Sequence, residues 1–305
     1  MRRVELLVSD SRAETENEDF SNSTGYDDEV FIRLLNAGQR RIFSLAARTN
    51  TSSFEAEKII SAVAQQESYS LPSDIFLGSW VSSIEFSRDG NVKNYYKLEK
   101  GTKFDRCSGV YGSPCKYIKQ GQNFLAAPVP PNASGSFRVC YNQAPRRLDK
   151  RRAQIDSVTT SGSSITALTL KTSVELDAEN LELENYFCVV DKHGNQKMKA
   201  IPFTDIDDST GVVTLEAGFE FESGESIAAD DYIVRGEDTA NISSLPTDFE
   251  RYLIAFMNWK VFKLDSSSDA LEAKDEVIAF ENDLRDALED DDGDVSYIPE
   301  VNEWD

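Results

Sequence analysis

Histidine is nearly absent from this chain, with one residue, His193, among 305. A serine or cysteine nucleophile activated by imidazole needs that base within hydrogen-bond reach. His193 stands instead in Asp191-Lys192-His193-Gly194-Asn195, which reads as a hairpin turn. Cysteine is also scarce. Cys107, Cys115, Cys140 and Cys188 are irregularly spaced and lack the paired Cys or His sets of a zinc site. Free thiols in a reducing compartment are the preferred reading, and a local Cys107–Cys115 disulfide belongs only to an oxidising setting. No stretch approaches the roughly 20 apolar residues of a membrane span. The opening Met1-Arg2-Arg3-Val4-Glu5-Leu6-Leu7-Val8-Ser9-Asp10 has no apolar core of signal-peptide length. The glycosylation patterns at Asn22, Asn50, Asn132 and Asn241 therefore count as chance, and a soluble, cytosolic product is expected. Phosphate-binding and dinucleotide loops are missing, there is no internal repeat, and neither cofactor nor metal is expected.

Positive charge is in deficit as well, with 32 Lys and Arg against 54 Asp and Glu, a net charge of −22. Binding driven by neutralising nucleic-acid phosphates is thereby disfavoured for the chain as a whole. An acidic surface suits solubility, a basic partner, or a passage through which DNA moves without sticking. Acidic pairs such as Asp207-Asp208 and Asp230-Asp231 read as solvated loop residues.

What is present is a helical signature at each end of a β-rich middle. Val30, Phe31, Leu34, Leu35, Gly38, Ile42, Leu45 and Ala46 recur at three- and four-residue steps, predicting an amphipathic helix to about residue 47. Asp27 is placed to cap it, and Asp28 and Glu29 complement its dipole. Gly38 inside this helix is either a tolerated imperfection or a point of close helix approach. Residues 9–25 are polar and read as an exposed lead-in. At the other end Thr247 or Asp248 is placed to cap a helix carrying Phe249, Tyr252, Leu253, Phe256, Met257, Val261 and Leu264. A longer helix follows over 269–289, and then an acidic run. Two amphipathic pieces so far apart need each other to bury their apolar faces.

Between them, residues 54–67 fit either a helix, which Ala and Glu favour, or a strand, the preferred reading, and 75–141 read as β. Ala144-Pro145-Arg146-Arg147-Leu148 reads as a hinge. Short strands then follow near 154–159, 165–171, 186–190, 197–203, 212–215 and 232–235, separated by turn residues, which argues a small barrel or sandwich. The expected organisation is α+β. A discontinuous core of 1–152 plus 237–289 sets a few helices on an antiparallel framework, with an inserted all-β module at 153–236 and an extended tail at 290–305.

Two features stand out as candidate contact sites. Arg146, Arg147, Lys150, Arg151 and Arg152 form the one dense basic cluster. It is either a solvated hinge or an electrostatic contact with an acidic neighbour, most simply another copy of the chain. Beyond the acidic run, Tyr297, Ile298, Val301 and Trp304 supply the aromatic and aliphatic anchors of a docking peptide.

These pieces, in this order, resemble the head-to-tail adaptor (connector) proteins of tailed bacteriophages. The stations are the 27–42 helix, Tyr69-Ser70-Leu71-Pro72, Tyr117 to Pro128 running into a proline turn, Val139-Cys140-Tyr141, Ala144-Pro145-Arg146-Arg147-Leu148, and Leu245-Pro246-Thr247-Asp248-Phe249-Glu250-Arg251-Tyr252-Leu253 with its two helices. The 153–236 module departs from the compact members. The resemblance implies a non-catalytic virion protein of the neck or tail, assembled in the host bacterial cytoplasm. It would form a ring of subunits, twelve by that likeness, beneath the portal protein, extend the DNA channel and receive tail or nozzle proteins. DNA would pass without sequence-specific binding, no membrane would be involved, and the C-terminal extension would reach the portal. The other readings are a β-rich virion accessory or carbohydrate-binding module and, third, a hydrolase built on spatially paired carboxylates.

Overall fold

A computed structural model describes residues 2–15, 26–48, 55–76, 81–91, 93–106, 109–161, 164–171, 185–207, 209–216, 226–243, 245 and 247–289. The chain divides into two compact units, Met1–Ile42 with Arg146–Asp286, and Phe43–Pro145 with Ala287–Asp305.

The chain enters through α1 (Val4–Glu14), where the polar lead-in was expected to begin. Val4, Leu7, Val8 and Ser11 make a buried stripe at three- and four-residue steps. It is short, and one of its four members is a serine, so apolar periodicity alone does not reveal it. Helix α2 (Asp28–Arg48) follows the expected pattern, burying Phe31, Ile32, Leu35 and Ile42. The Asp27 side chain accepts only a long bond, 3.5 Å, from the Glu29 amide.

The second unit holds eight strands: β1 (Glu55–Ser61), β2 (Ser68–Ser70), β3 (Val81–Ser87), β4 (Tyr96–Lys97), β5 (Glu99–Lys100), β6 (Lys116–Gln120), β7 (Asn123–Ala127) and β8 (Ser136–Asn142). They form two four-stranded sheets, ordered β1-β8-β3-β4 and β2-β7-β6-β5. Strand β8 is central, with Phe137 opposite Ile60 of β1 and Phe86 of β3. The rings of Tyr69, Phe86 and Phe124 surround Phe137 at centroid distances of 4.6, 4.8 and 5.2 Å, the aromatic heart of this unit.

In the first unit β9 (Arg147–Leu148) leads into β10 (Ala153–Ser161), β11 (Ser164–Leu170), β12 (Tyr186–Val190), β13 (Gln196–Asp207), β14 (Val212–Leu215) and β15 (Tyr232–Arg235), with β16 (Thr239–Ala240) beyond. Strands β10 to β15 close into a barrel ordered β10-β11-β14-β13-β12-β15. Closure removes the exposed edges that so many short strands would otherwise present. Alternate residues such as Ile155, Leu168, Phe187, Val189, Ile201, Val213 and Ile233 fill it. The wall is covered from outside too. Cys188, Val190 and Val234 form a separate buried cluster, and the Cys188 thiol lies 3.1 Å from the Gly236 carbonyl oxygen. The contact boundaries accordingly fall at 42/43 and 145/146, and the barrel shares a unit with helices.

The chain ends in α3 (Glu250–Leu264) and α4 (Ala270–Glu289). Residues Tyr252 to Asn258 of α3 are all buried, as in a helix surrounded by its own unit. No side chain caps it; a 3-10 turn at Thr247–Phe249 leads in instead of the expected Thr247 or Asp248 cap. Gly38 of α2 marks close approach. A Cβ there would stand 3.0 Å from Cδ1 of Phe256 in α3, tighter than ordinary packing. Among the described residues no helix is long and apolar enough to cross a membrane.

Candidate functional site

The segment carrying the basic cluster is held against α2 by two amide side chains. Asn36 donates to the Leu148 carbonyl and accepts from the Leu148 amide, both at 2.8 Å, imitating a strand partner. Gln39 donates to the Arg146 carbonyl at 2.7 Å. Strand β9 is thereby placed to pair, in parallel, with β16.

From this backbone the basic side chains turn toward acids of the same unit. Arg152 has no exposed surface; its guanidinium reaches Asp149, equally buried, at 3.0 and 2.6 Å. It also donates to Glu29, which accepts from Arg235 of β15 at 2.8 Å through its other oxygen. Arg235 gives its backbone amide to Asp149 at 3.1 Å. Lys150 meets Asp28 at 3.0 Å, and Asp28 also holds Arg12 at 2.8 Å. Arg151 bonds Glu5 of α1 at 3.0 Å and lies over the Tyr232 ring. Arg146, the most exposed of the set, stands 3.6 Å from Asp238, and Arg147 is held by the β9–β16 pairing.

Arg152 is thus buried within its own unit, where Asp149 and Glu29 supply the acids that burying an arginine requires. Glu29 and Arg235 were not legible as members. In sequence an acid in a first helical turn is explained by the dipole alone, and Arg235 is far from Glu29 along the chain.

Burial by itself would raise the Glu29 carboxyl, but hydrogen bonds and charge from Arg235 and Arg152 overcome it and hold it below the ordinary carboxylate value. Asp28 is lowered likewise, through Lys150 and Arg12 against its own burial. A lowered folded-state value contributes stability above the ordinary carboxylate range, lost as pH falls through the folded value. Glu29→Gln should therefore melt below wild type at pH 7, with the gap narrowing as pH drops below about 4. Melting curves at pH 7, 5, 4 and 3 check this; a gap that stays constant would sink it.

The other candidates are occupied locally. His193 is exposed in its hairpin, where Asp191 accepts from the His193 and Asn195 amides. Asp207 caps its own turn through Ser209 and Thr210, which lowers it to about 2; Asp230 pairs with Lys171 and Asp231 with Lys197. Cys115, Cys140 and Cys188 are free thiols. Cys107, Asp208, Tyr297, Ile298, Val301 and Trp304 lie outside the described residues.

A surface that sequence reading did not single out is the turn at Lys103–Asp105 in the second unit. Phe104 is 90% exposed there, with Val110 and Tyr111 exposed as well. Asp105 accepts from the Thr102 amide and hydroxyl and from Lys116 at 2.7 Å, while Arg106 forks onto Glu67 at 2.7 and 3.0 Å. The turn is thus fastened on both sides while its aromatic faces solvent.

A family model described as SU10 adaptor protein matches residues 3–161, slightly over half of the chain. The chain belongs to this adaptor family. It is a phage structural adaptor and a component of the virion. The matched stretch takes in α1, α2, the whole second-unit framework, the ion-paired linker and β10, and ends with that strand. The other five barrel strands and the two C-terminal helices of the adaptor lie beyond it. No curated protein matches the chain.

Proposed function

We propose that this adaptor assembles as a ring beneath the portal protein, twelve copies by the family likeness, where it extends the DNA channel and receives tail or nozzle proteins. The observation that carries the reading is the match over residues 3–161, which spans α2, both sheets and the linker that α2 holds. The net charge of −22 supports it: an acidic surface repels DNA phosphates, so DNA slides through without being held. In this reading Tyr297, Ile298, Val301 and Trp304 dock onto the portal, their aromatic anchors supplying the contact energy. Arg146, with its long side chain in solvent, is the member of the basic cluster best placed for a neighbouring subunit.

Light scattering coupled to size exclusion tests this on the full chain, alone and mixed with portal. The expected result is a multi-copy complex of more than portal mass, lost when residues 296–305 are deleted from an otherwise folded protein. A protein that stays monomeric beside an assembled portal would overturn the reading. Weight would then move to a binding module, with the fastened turn around Phe104 as the surface to test for ligands.

A further inference from the structure

Three lysines of the first unit stand close together without an ion-pair partner. Where α3 ends and α4 begins, Lys260, Lys263 and Lys274 have no acid within ion-pair distance among the described residues, although the chain carries 54 acids. Arg41 of α2 stands beside them, itself paired with Glu281. Both Arg41 and Lys260 stand over the Trp259 ring, at 5.9 and 3.7 Å from its centroid. Glu281, the acid that acts on Lys260, is taken up by Arg41 at 2.5 and 2.8 Å and by the Tyr252 hydroxyl at 3.0 Å. Lys260 feels the crowding: partial burial, then Lys263, Arg41 and Lys274, together lower its ammonium below the ordinary value. Apolar side chains flank the cations in solvent, with Leu264 56% and Leu271 73% exposed and Ile278 two turns further along α4. Like charges gathered beside exposed leucines on an acidic protein make an unfinished surface that lacks an acidic partner.

We infer that this α3–α4 surface receives the acidic run Asp290, Asp291, Asp292 and Asp294 of a second copy of the chain. Charge complementarity selects the segment, since it is the densest block of acids in the sequence. Reach selects the second copy. Lys274 and Glu289 sit 15 residues apart on one helix, about 22 Å at its rise per residue. The run ends five residues past Glu289, about 17 Å even if fully extended. Lys260 is farther still, because Tyr252 meets Phe280 and Glu281, which sets α3 antiparallel to α4. Backbone reach thus stops about 5 Å short of Lys274 for the last acid and about 12 Å or more short for Asp290 to Asp292, so the run does not seat as a block on the three lysines of its own chain. Head-to-tail seating of this kind gives a ring when the rotation between copies closes, so the inference rests on the ring reading and supplies it with a contact.

The test uses a labelled synthetic peptide of residues 287–305 and the full-length protein, read by fluorescence anisotropy. Saturable binding is expected, at least about tenfold weaker for the triple variant Lys260→Glu, Lys263→Glu, Lys274→Glu, and weaker with added salt. A peptide with lysine at 290–292 should bind that variant in preference to wild type. Circular dichroism and melting temperature confirm that the variant is folded. No saturable binding, binding indifferent to the triple reversal, or equal binding of a sequence-scrambled peptide would overturn the assignment. So would patch-dependent binding of a short DNA duplex in place of the peptide. A portal complex that forms without peptide binding removes this inference and leaves the ring reading standing; peptide binding without a portal complex does the reverse.

Discussion

Asp149→Ala is expected to be the most damaging single change in the charged linker, costing about 3–5 kcal/mol of stability. The carboxylate and the Arg152 guanidinium are both fully buried, and Asp149 also accepts the Arg235 amide. Removing it takes an acid away from a guanidinium that is fully buried, with Glu29 still bonded to it. The cost arises chiefly from that stranded charge, so the double variant Asp149→Ala, Arg152→Met should recover much of the loss. In the double variant Glu29 keeps Arg235. By contrast Arg146→Ala, whose partner stands 3.6 Å away at the surface, should change stability by less than about 0.5 kcal/mol. Urea denaturation followed by circular dichroism checks the series. A double variant no more stable than the single would show that the ion pair is not the reason for the loss. For an adaptor the point matters, because this linker ties α1, α2 and the barrel strand β15 together.

The second large effect belongs to the other unit. Phe137→Ala should cost about 3–5 kcal/mol, since the ring is fully buried at the centre of β8 and touches three other aromatics. Phe137→Leu, which keeps most of the volume, should cost less than half as much. Ile59→Ala on the solvent-facing edge strand β1 should be nearly silent, because that side chain is already more than half exposed. Denaturant midpoints, with near-ultraviolet circular dichroism reporting on the packed rings, separate the three. If Phe137→Ala and Ile59→Ala cost the same, the aromatic cluster is not what holds the two sheets of this unit together.

Much of the fold was legible because its signals are local. The apolar period of α2, the aromatic load of α3 and the turn residues between β10 and β15 depend only on neighbours in sequence, and these elements appear where those signals place them. Helix α1 was missed because a buried serine interrupts a four-member stripe, and Ser11 is buried only because Asn258 of α3 accepts its hydroxyl. Gly38 had two readings, and only the position of Phe256 decides between them.

The charged cluster divides in the same way. Its composition was plain, and so was the excess of acid around it. Which acid meets which base depends on distances between residues far apart in the chain, such as Glu29 with Arg235 and Glu5 with Arg151. Sequence by itself determined the α+β class, the helical ends, the spacing of the barrel strands and the acidic balance, all products of local pattern and composition. Tertiary structure decided which cations meet acids inside the chain, at the linker, and which stand without an ion-pair partner among the described residues, at the α3–α4 surface. A charge is spent or free according to what stands within a few ångströms of it, and that distance is set by the fold.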